Sequence, residues 1–561
     1  MPQKIKTVLQ KDMSRRTFWV LVVLVVLVKL LLTRFQMVWT WIDGAPLDDE
    51  LMFGAAQSIS AGQWLGPYNW LTLSKHMFFP VWMALLNLLH IPYLAGGQLL
   101  LCGAALAAAL AFAPVLRRWK SRFLLFFLLA FNPAALAGFT LRVYRDNIFP
   151  SLCLLFFAGL IGAALRCYQP LKKSLPWLLG CGLGLGLAWL TREDGIWLLP
   201  FALVGSVILL VSILRRKQLP RKALRCVLLL VPFGVLAAAI QIMSAVNYAH
   251  YGVYALSDFS GGSFAQAFGA MTRVEHEHWQ PLVSVPADVR AKLYDQVEEL
   301  RPLKEWLEGS DQERNGYINK ELNDYPTGSF YWALRRAADH AGFYQDAPTA
   351  AAYWQSVADQ INALCDSGKL PASKAHRNST TPPIRMEYVP DVLAEGVRGL
   401  WYTATFQDCA PYLPDRTIGP PEDLAVWEEY LGCRTNAAAQ AGTDLPYYSP
   451  LQKLVYGGLN GLRWVYAVVI PLGLLAALAV QVGLLVRMIR TKNGKGLLLW
   501  LVLAGVLGMA LFRAFMIAFV EVASFNIGTY VMYLSTVHPL LILYAAAGLL
   551  TALPMDRAEK E

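Results

Sequence analysis

Charge is scarce in this chain. Only 16% of its 561 residues are Asp, Glu, Lys or Arg, against 56% hydrophobic residues. A soluble protein of that length needs far more charge on its surface, so the composition excludes one and points to an all-α polytopic membrane protein. Long basic runs are missing as well. The net charge is +10, but Lys and Arg sit in short clusters between apolar stretches. They are too brief and dispersed to track a phosphate backbone, which excludes nucleic acid as a partner. No CxxC pair occurs among the eight cysteines, so no structural zinc site is expected. Cys102, Cys153, Cys167, Cys181 and Cys226 lie in or beside apolar runs as small hydrophobes. Cys365, Cys409 and Cys433 lie in a large polar region, where Cys409 and Cys433 are either a disulfide or two free thiols. Internal repeats are absent. No small-residue cleavage site follows the first apolar run, Phe18 to Leu32, which therefore reads as an uncleaved anchor.

What is present is a series of apolar runs. Ten spanning helices are expected, over about 17–36, 94–116, 123–140, 148–166, 176–191, 196–214, 226–248, 461–486, 497–519 and 529–552. The basic segments decide their orientation. The N-terminus (Lys4, Lys6, Lys11, Arg15, Arg16), RRWK at 117–120, RCYQPLKK at 166–173, RRKQLPRK at 215–222 and RMIRTKNGK at 487–495 all fall on one side, the cytoplasmic one. The C-terminal DRAEKE lands there too. The count requires that MFFPVWMALLNLLHIP (77–92), broken by Pro80 and Pro92, lies at the outer interface and does not cross. Three parts follow: a membrane module over 1–248 with a first external loop at 37–93, an external domain over 249–460, and C-terminal spans over 461–561.

The external region is polar and rich in aromatics. VPADVRAKLYDQVEELRPLKEWLEG (285–309) has near-helical apolar spacing. The stretch 346–370 has Asp346 as an N-cap, Pro348 in its first turn and a stop near Gly368. Its tryptophans, Trp279, Trp306, Trp332, Trp354, Trp401 and Trp427, are either core and interface residues or stacking platforms for carbohydrate. His276 and His278 in RVEHEHW stand two apart and do not share a helix face, so no metal site is assigned there. NST at 378–380 fits a glycosylation acceptor.

Charge of both signs gathers in three outer loops. GAPLDDELMF (44–53) and the following stretch give Asp48, Asp49, Glu50, Lys75 and His76. RVYRDN (142–147) gives Arg142, Arg145 and Asp146. TREDG (191–195) gives Arg192, Glu193 and Asp194. Ionisable groups at the mouth of a spanning bundle are costly and point to function. Acids and bases together beside the outer leaflet suit transfer of a sugar held on a polyprenyl phosphate. Cations neutralise the departing phosphate, and a carboxylate orients the acceptor hydroxyl and takes its proton.

These loops resemble those of the GT-C glycosyltransferases, in particular the group of protein O-mannosyltransferases and the lipid A aminoarabinose transferase. The likeness covers about 1–215. It rests on DELMFGAAQSISAGQWLGPYNW from Asp49, with Phe53 four residues after the acid and Gly62 closing a helix, and on SKHMFFPVWMALLNLLHIP, RVYRDN and the Thr-Arg-Glu step at 191–193. The resemblance implies a GT-C-like bundle with juxtamembrane helices in the first external loop; the apolar runs give that bundle about ten transmembrane helices, and the helix-like spacings within 249–460, which the likeness does not cover, give a mainly helical external domain. It implies an inverting glycosyltransferase in the cell membrane, with both termini cytoplasmic and the active site outside. A polyprenyl-phosphate sugar would be the donor, and a glycan, lipid or protein the acceptor. Asp49 would be the catalytic base, with Glu50 and Asp146 binding sugar or acceptor hydroxyls. Lys75, His76, Arg142, Arg145 and Arg192 would meet the lipid phosphate, with Glu193 among the binding residues. Asp48 would be the most solvated acid and dispensable. No cofactor is required, although carboxylates in the first two loops suit Mg²⁺ or Mn²⁺.

Two other readings use the same residues. A transporter or flippase would account for Arg513, Glu521 and His538 inside apolar runs, but calls for inverted repeats or paired broken helices that the sequence lacks. A membrane scaffold has no use for acids concentrated in the early loops. Arg513 and Glu521 stand eight residues apart, about 12 Å along a helix, too far for a tight pair. His538 reads as a packing histidine.

Overall fold

The computed structural model describes residues 12–277, 280–310, 313–411, 417–437, 448–494, 496–526, 528 and 530–553. Lys4, Lys6, Lys11, His278, Trp279, Lys495 and the C-terminal DRAEKE lie outside the described residues. The described chain is helical, with only isolated β-bridges. It is an all-α polytopic membrane protein. Among the described residues eight helices are long and apolar enough to cross a membrane: Arg15–Thr33, Tyr93–Ala111, Arg145–Ala164, Leu171–Thr191, Glu193–Arg215, Lys222–Tyr251, Pro450–Thr491 and Leu497–Phe525.

Two expected spans are shorter than the sequence reading gave. The run at 123–140 is helical only over Trp119–Ala130, about 18 Å of rise. Pro133 lacks an N–H and disfavours helical geometry in the residue before it. Asn132 then caps a 3-10 turn through Ala134 N (3.1 Å). The irregular backbone that follows, 133–141, is almost wholly buried in protein, the setting in which non-helical chain is tolerated at membrane depth. The last run begins with the single turn Tyr530–Tyr533 and continues as Val537–Ala552. Phe78–Leu88 has 11 residues, about 16 Å, too short to span.

One end of the bundle collects the basic segments. Asp12 accepts from the backbone N–H groups of Trp119 and Lys120, Arg166 donates to the carbonyls of Leu110 and Ala111, and Arg225 donates to those of Cys167 and Gln169. The other end carries the three charged loops and the polar region. Phe149–Ala164 and Leu171–Thr191 are held in register by close backbone approach. A Cβ on Gly159 would stand 2.3 Å from Cys181 N, and one on Gly184 2.4 Å from Phe156 N. Small residues are what let two helices come that near. The contact sets Arg192, just after one helix, over Asp146, just before the other.

The polar region has its own core between Phe264 and Leu370, built on Gly262–Met271, Ala287–Gln296, Arg301–Glu308, Thr327–His340 and Ala347–Asp366. The expected helix at 285–309 is split at 297–300, with Pro302 opening the second piece. Asp346 caps the last helix by accepting from Thr349 N (2.8 Å), and Gly368 beyond its end takes φ +76°. Trp306, Trp332, Trp354 and Trp427 are buried. Beyond this core, Val389–Ala404 lies along the spanning helix Leu497–Val520, where a Cβ on Gly396 would come 2.2 Å from the Phe515 ring. Its outward face carries Val389, Leu393, Val397 and Trp401, all exposed.

Candidate functional site

A short extended stretch, 38–42, organises the charged end. Val38 N–H donates to Arg434 O (2.8 Å), Trp39 N–H to Leu141 O (3.2 Å) and Ile42 N–H to Ile418 O (2.9 Å). This brings Thr40 and Trp41 beside the first turn of Asp49–Ser60 and sets Arg142 opposite. Asp49 is sealed there, with no exposed surface. Its Oδ1 accepts from Arg142 Nε (2.8 Å) and Nη2 (2.7 Å), and its Oδ2 from Thr40 Oγ1 and Trp41 N (3.2 Å each). Burial pushes this carboxyl up, against the pull of the Arg142 guanidinium.

Asp48 is placed differently. Its side chain is 38% exposed. Lys75 Nζ sits on Oδ1, as does Tyr144 OH (2.8 Å), with Arg142 3.9 Å from Oδ2. Burial alone would lift its pKa, but Lys75 and Arg142 outweigh that and hold it well below the usual carboxylate range. The open acid of the pair is thus Asp48, and the base assigned to Asp49 from the family likeness falls on a buried residue whose oxygens are occupied by Arg142, Thr40 and Trp41. Glu50 points elsewhere, into a cleft of about 350 Å³ against the loop 65–77. Consecutive residues on a helix diverge by about 100°.

Lys75 donates to Leu47 O (2.7 Å), Asp48 and Tyr144 OH (3.2 Å), which uses all three of its protons. Trp332, from the polar region, lies with its ring centroid 5.1 Å from Nζ. Tyr144 OH also accepts from Arg145 Nη2 (2.8 Å), and so joins the first loop to the third. Arg145 Nη1 donates to both carboxylate oxygens of Glu193 (2.8 and 3.0 Å). Arg192 pairs with Asp146 (2.9 Å) and Asp194 (3.2 Å), and Arg513 with Asp194 (2.6 Å). Five carboxylates (Asp48, Asp49, Asp146, Glu193, Asp194) therefore face five cations (Lys75, Arg142, Arg145, Arg192, Arg513) in one cluster without net charge.

His76 does not fit a phosphate ligand. It is fully buried. Its Nδ1 faces the Trp189 carbonyl, which can only accept, so Nδ1 carries the proton and Nε2 accepts from Ser260 Oγ (2.8 Å). Burial lowers its pKa and keeps it neutral. Arg513 and Glu521 do not pair with each other, since Glu521 Oε1 accepts from Gly528 N (2.6 Å). His538 packs on Phe406 and stands 3.5 Å from Cys409 Sγ. Cys409 and Cys433 are free thiols. Among the described residues no group of three or more His, Cys, Asp or Glu is placed to hold a metal ion.

No family model matches the chain, and no curated protein matches it. Two similar solved structures are of ArnT from Cupriavidus metallidurans, in the apo state (15% identity, TM-score 0.29) and bound to undecaprenyl phosphate (14%, 0.28). Each comparison covers 95% of this chain and 78% of that one. The functional reading rests on the geometry of the cluster itself.

Several residues of the cluster escape sequence reasoning. Tyr144 sits inside the quoted RVYRDN, and its place among three charges was the available signal. Trp332 carries none: only the fold brings its helix to Lys75. From the same helix, fully buried Arg335 donates to Trp70 O, Thr72 O and Asp258. It thereby fixes the loop that delivers Lys75.

Proposed function

We propose that this chain is an inverting glycosyltransferase that moves a sugar from a polyprenyl-phosphate donor to an acceptor hydroxyl on the outer face of the membrane. The observation that carries the reading is the most exposed carboxylate of the charge cluster, Asp48, with 38% of its side chain exposed against 26% for Glu193 and 25% for Asp194, held on a lysine and a tyrosine at the polar end of a spanning bundle. The basic end of the bundle is then cytoplasmic.

The chemistry follows from the pairing. The cluster has no spare cation, so an arriving phosphate binds by exchange. Lys75 is the cation best placed to exchange, because its carboxylate partner is the most exposed of the five. As Lys75 turns to the phosphate, Asp48 loses the charge that holds its pKa down, and its proton affinity rises. Donor binding thus arms the base. Asp48 then orients the acceptor hydroxyl and accepts its proton while the sugar–phosphate bond breaks, with Lys75 stabilising the charge that develops on the leaving phosphate. Attack from the face opposite the phosphate inverts the anomeric centre. Asp49 positions Arg142, and Glu193 positions Arg145.

The test uses the purified full chain in lipid nanodiscs with radiolabelled polyprenyl-phosphate sugars and a panel of glycan, lipid and peptide acceptors. Release of polyprenyl phosphate together with labelled acceptor, lost in Asp48→Asn, is expected. Movement of intact donor across the bilayer without sugar release would instead identify a flippase.

A further inference from the structure

Every cation of the Asp48 cluster has a carboxylate partner. Elsewhere at the same end of the bundle two arginines do not. Arg34 follows the first spanning helix and Arg434 lies 400 residues later, yet both line one cleft of about 600 Å³. Among the described residues neither has an ion-pair partner. The other polar side chains of the cleft are committed. Thr33 Oγ1 donates to Leu30 O, Gln36 to Leu136 O and Gln452 to Phe35 O, while Ser449 and Gln452 cap each other. What remains on offer is two guanidiniums beside the free thiol of Cys433.

Two like charges converging on one cleft repel each other unless an anion lies between them, and a guanidinium pair matches the oxygens of a phosphate. The rest of the lining is apolar: Leu30, Phe35, Met37, Pro92 and Ala95. Leu30 belongs to the spanning helix Arg15–Thr33, whose exposed residues Val20, Val23, Leu24, Leu27 and Leu31 continue from the cleft along the bundle. The cleft has charge at its polar rim and an uninterrupted apolar track leading away from it.

We propose that this cleft binds the phosphate headgroup of a membrane lipid, with Arg34 and Arg434 on the phosphate and an acyl chain laid along Arg15–Thr33. The site is separate from the Asp48 cluster and does not depend on the transferase reading. The stretch 34–41 nevertheless joins the two, because it starts at Arg34 and ends at Trp41, which donates to Asp49.

The test is native mass spectrometry of the full chain in detergent, titrated with dioleoyl phosphatidic acid, dioleoyl phosphatidylcholine or inorganic phosphate. Phosphatidic acid should bind and phosphatidylcholine should not compete. The double variant Arg34→Gln/Arg434→Gln should weaken phosphatidic acid binding by about tenfold or more, the scale of lost charge-assisted hydrogen bonds. Both arginines are exposed, so the lipid-free melting temperature should stay unchanged. Ala95→Trp, which fills the floor and keeps both charges, should weaken binding in the same way. Unchanged affinity in either variant would overturn the site. Competition by inorganic phosphate at lipid-like concentrations would also overturn it, by showing a soluble-anion site, as would equal binding of phosphatidylcholine.

Discussion

Two adjacent aspartates in one cluster make opposite predictions. Asp49→Asn removes the charge that Arg142 grips through two short contacts, and leaves a largely buried guanidinium with only Asp48 3.9 Å away. Breaking a buried pair from one side costs about 3–5 kcal/mol. Thr40 and Trp41 still find an acceptor in the amide, so the lost fork to Arg142 dominates. Asp48→Asn is milder. The Asp48 side chain is more than a third exposed, and the buried Lys75 keeps Leu47 O and Tyr144 OH and meets an amide oxygen in place of the carboxylate, so the loss is about 1–3 kcal/mol. The order reverses for activity. Removing a general base costs about 10²–10⁴-fold in rate, so Asp48→Asn should be the more stable of the two and inactive. Asp49→Asn should be unstable, and its folded fraction should retain turnover. Thermal unfolding of the detergent-purified protein read beside donor cleavage separates the two effects. A stable, inactive Asp49→Asn with a fully active Asp48→Asn would refute the reasoning and restore Asp49 as the base.

Other outcomes follow from single features. His76 is held neutral in the folded protein, so its folded pKa lies below its unfolded one and the unfolded chain binds the extra proton. Stability should therefore fall as pH drops through about 6.5, with a slope of up to about 1.4 kcal/mol per pH unit from this one group. His76→Gln should flatten that part of a melting-temperature profile, and an unchanged slope would remove His76 as its source. Arg335→Ala leaves Asp258 and two loop carbonyls unpartnered and should cost about 3–5 kcal/mol, seen as a lowered melting temperature with Lys75 in place but mispositioned. Gly396→Ala puts a Cβ into the Phe515 ring and should destabilise by about 1–3 kcal/mol. Phe515→Ala in the same chain should relieve part of that cost, and a double-mutant cycle without coupling would contradict the contact.

Much of the charged end is legible in the sequence because acids and bases in three separate loops are visible as such. Lys75, Arg142, Arg145 and Glu193 do join Asp48 and Asp49 in one hydrogen-bonded network, and Arg192 and Asp146 form a second one beside it with Asp194 and Arg513. Which aspartate faces outward is not legible. It depends on how 38–42 bridges to 142, 418 and 435, contacts that span up to about 400 residues. Nor is the commitment of each cation to a carboxylate, since pairing needs distances and composition gives only counts. Pro133 was a readable stop signal for the run at 123–140, and apolarity alone overran it. The stripe Val389, Leu393, Val397, Trp401 is readable too, at a spacing of four, but the polar and Pro-rich sequence around it places the segment in the external domain over 249–460.

That stripe has a practical consequence. The helix Val389–Ala404 is bounded on one side by a spanning helix and on the other by its own exposed apolar residues, so neither face is made for water. A fragment cut to begin near 250 and end near 449, of the kind prepared for binder selection or crystallisation, would bare both faces at once. It would associate with itself or with detergent. A fragment ending near Leu370 would keep the Phe264–Leu370 core whole and leave that helix behind.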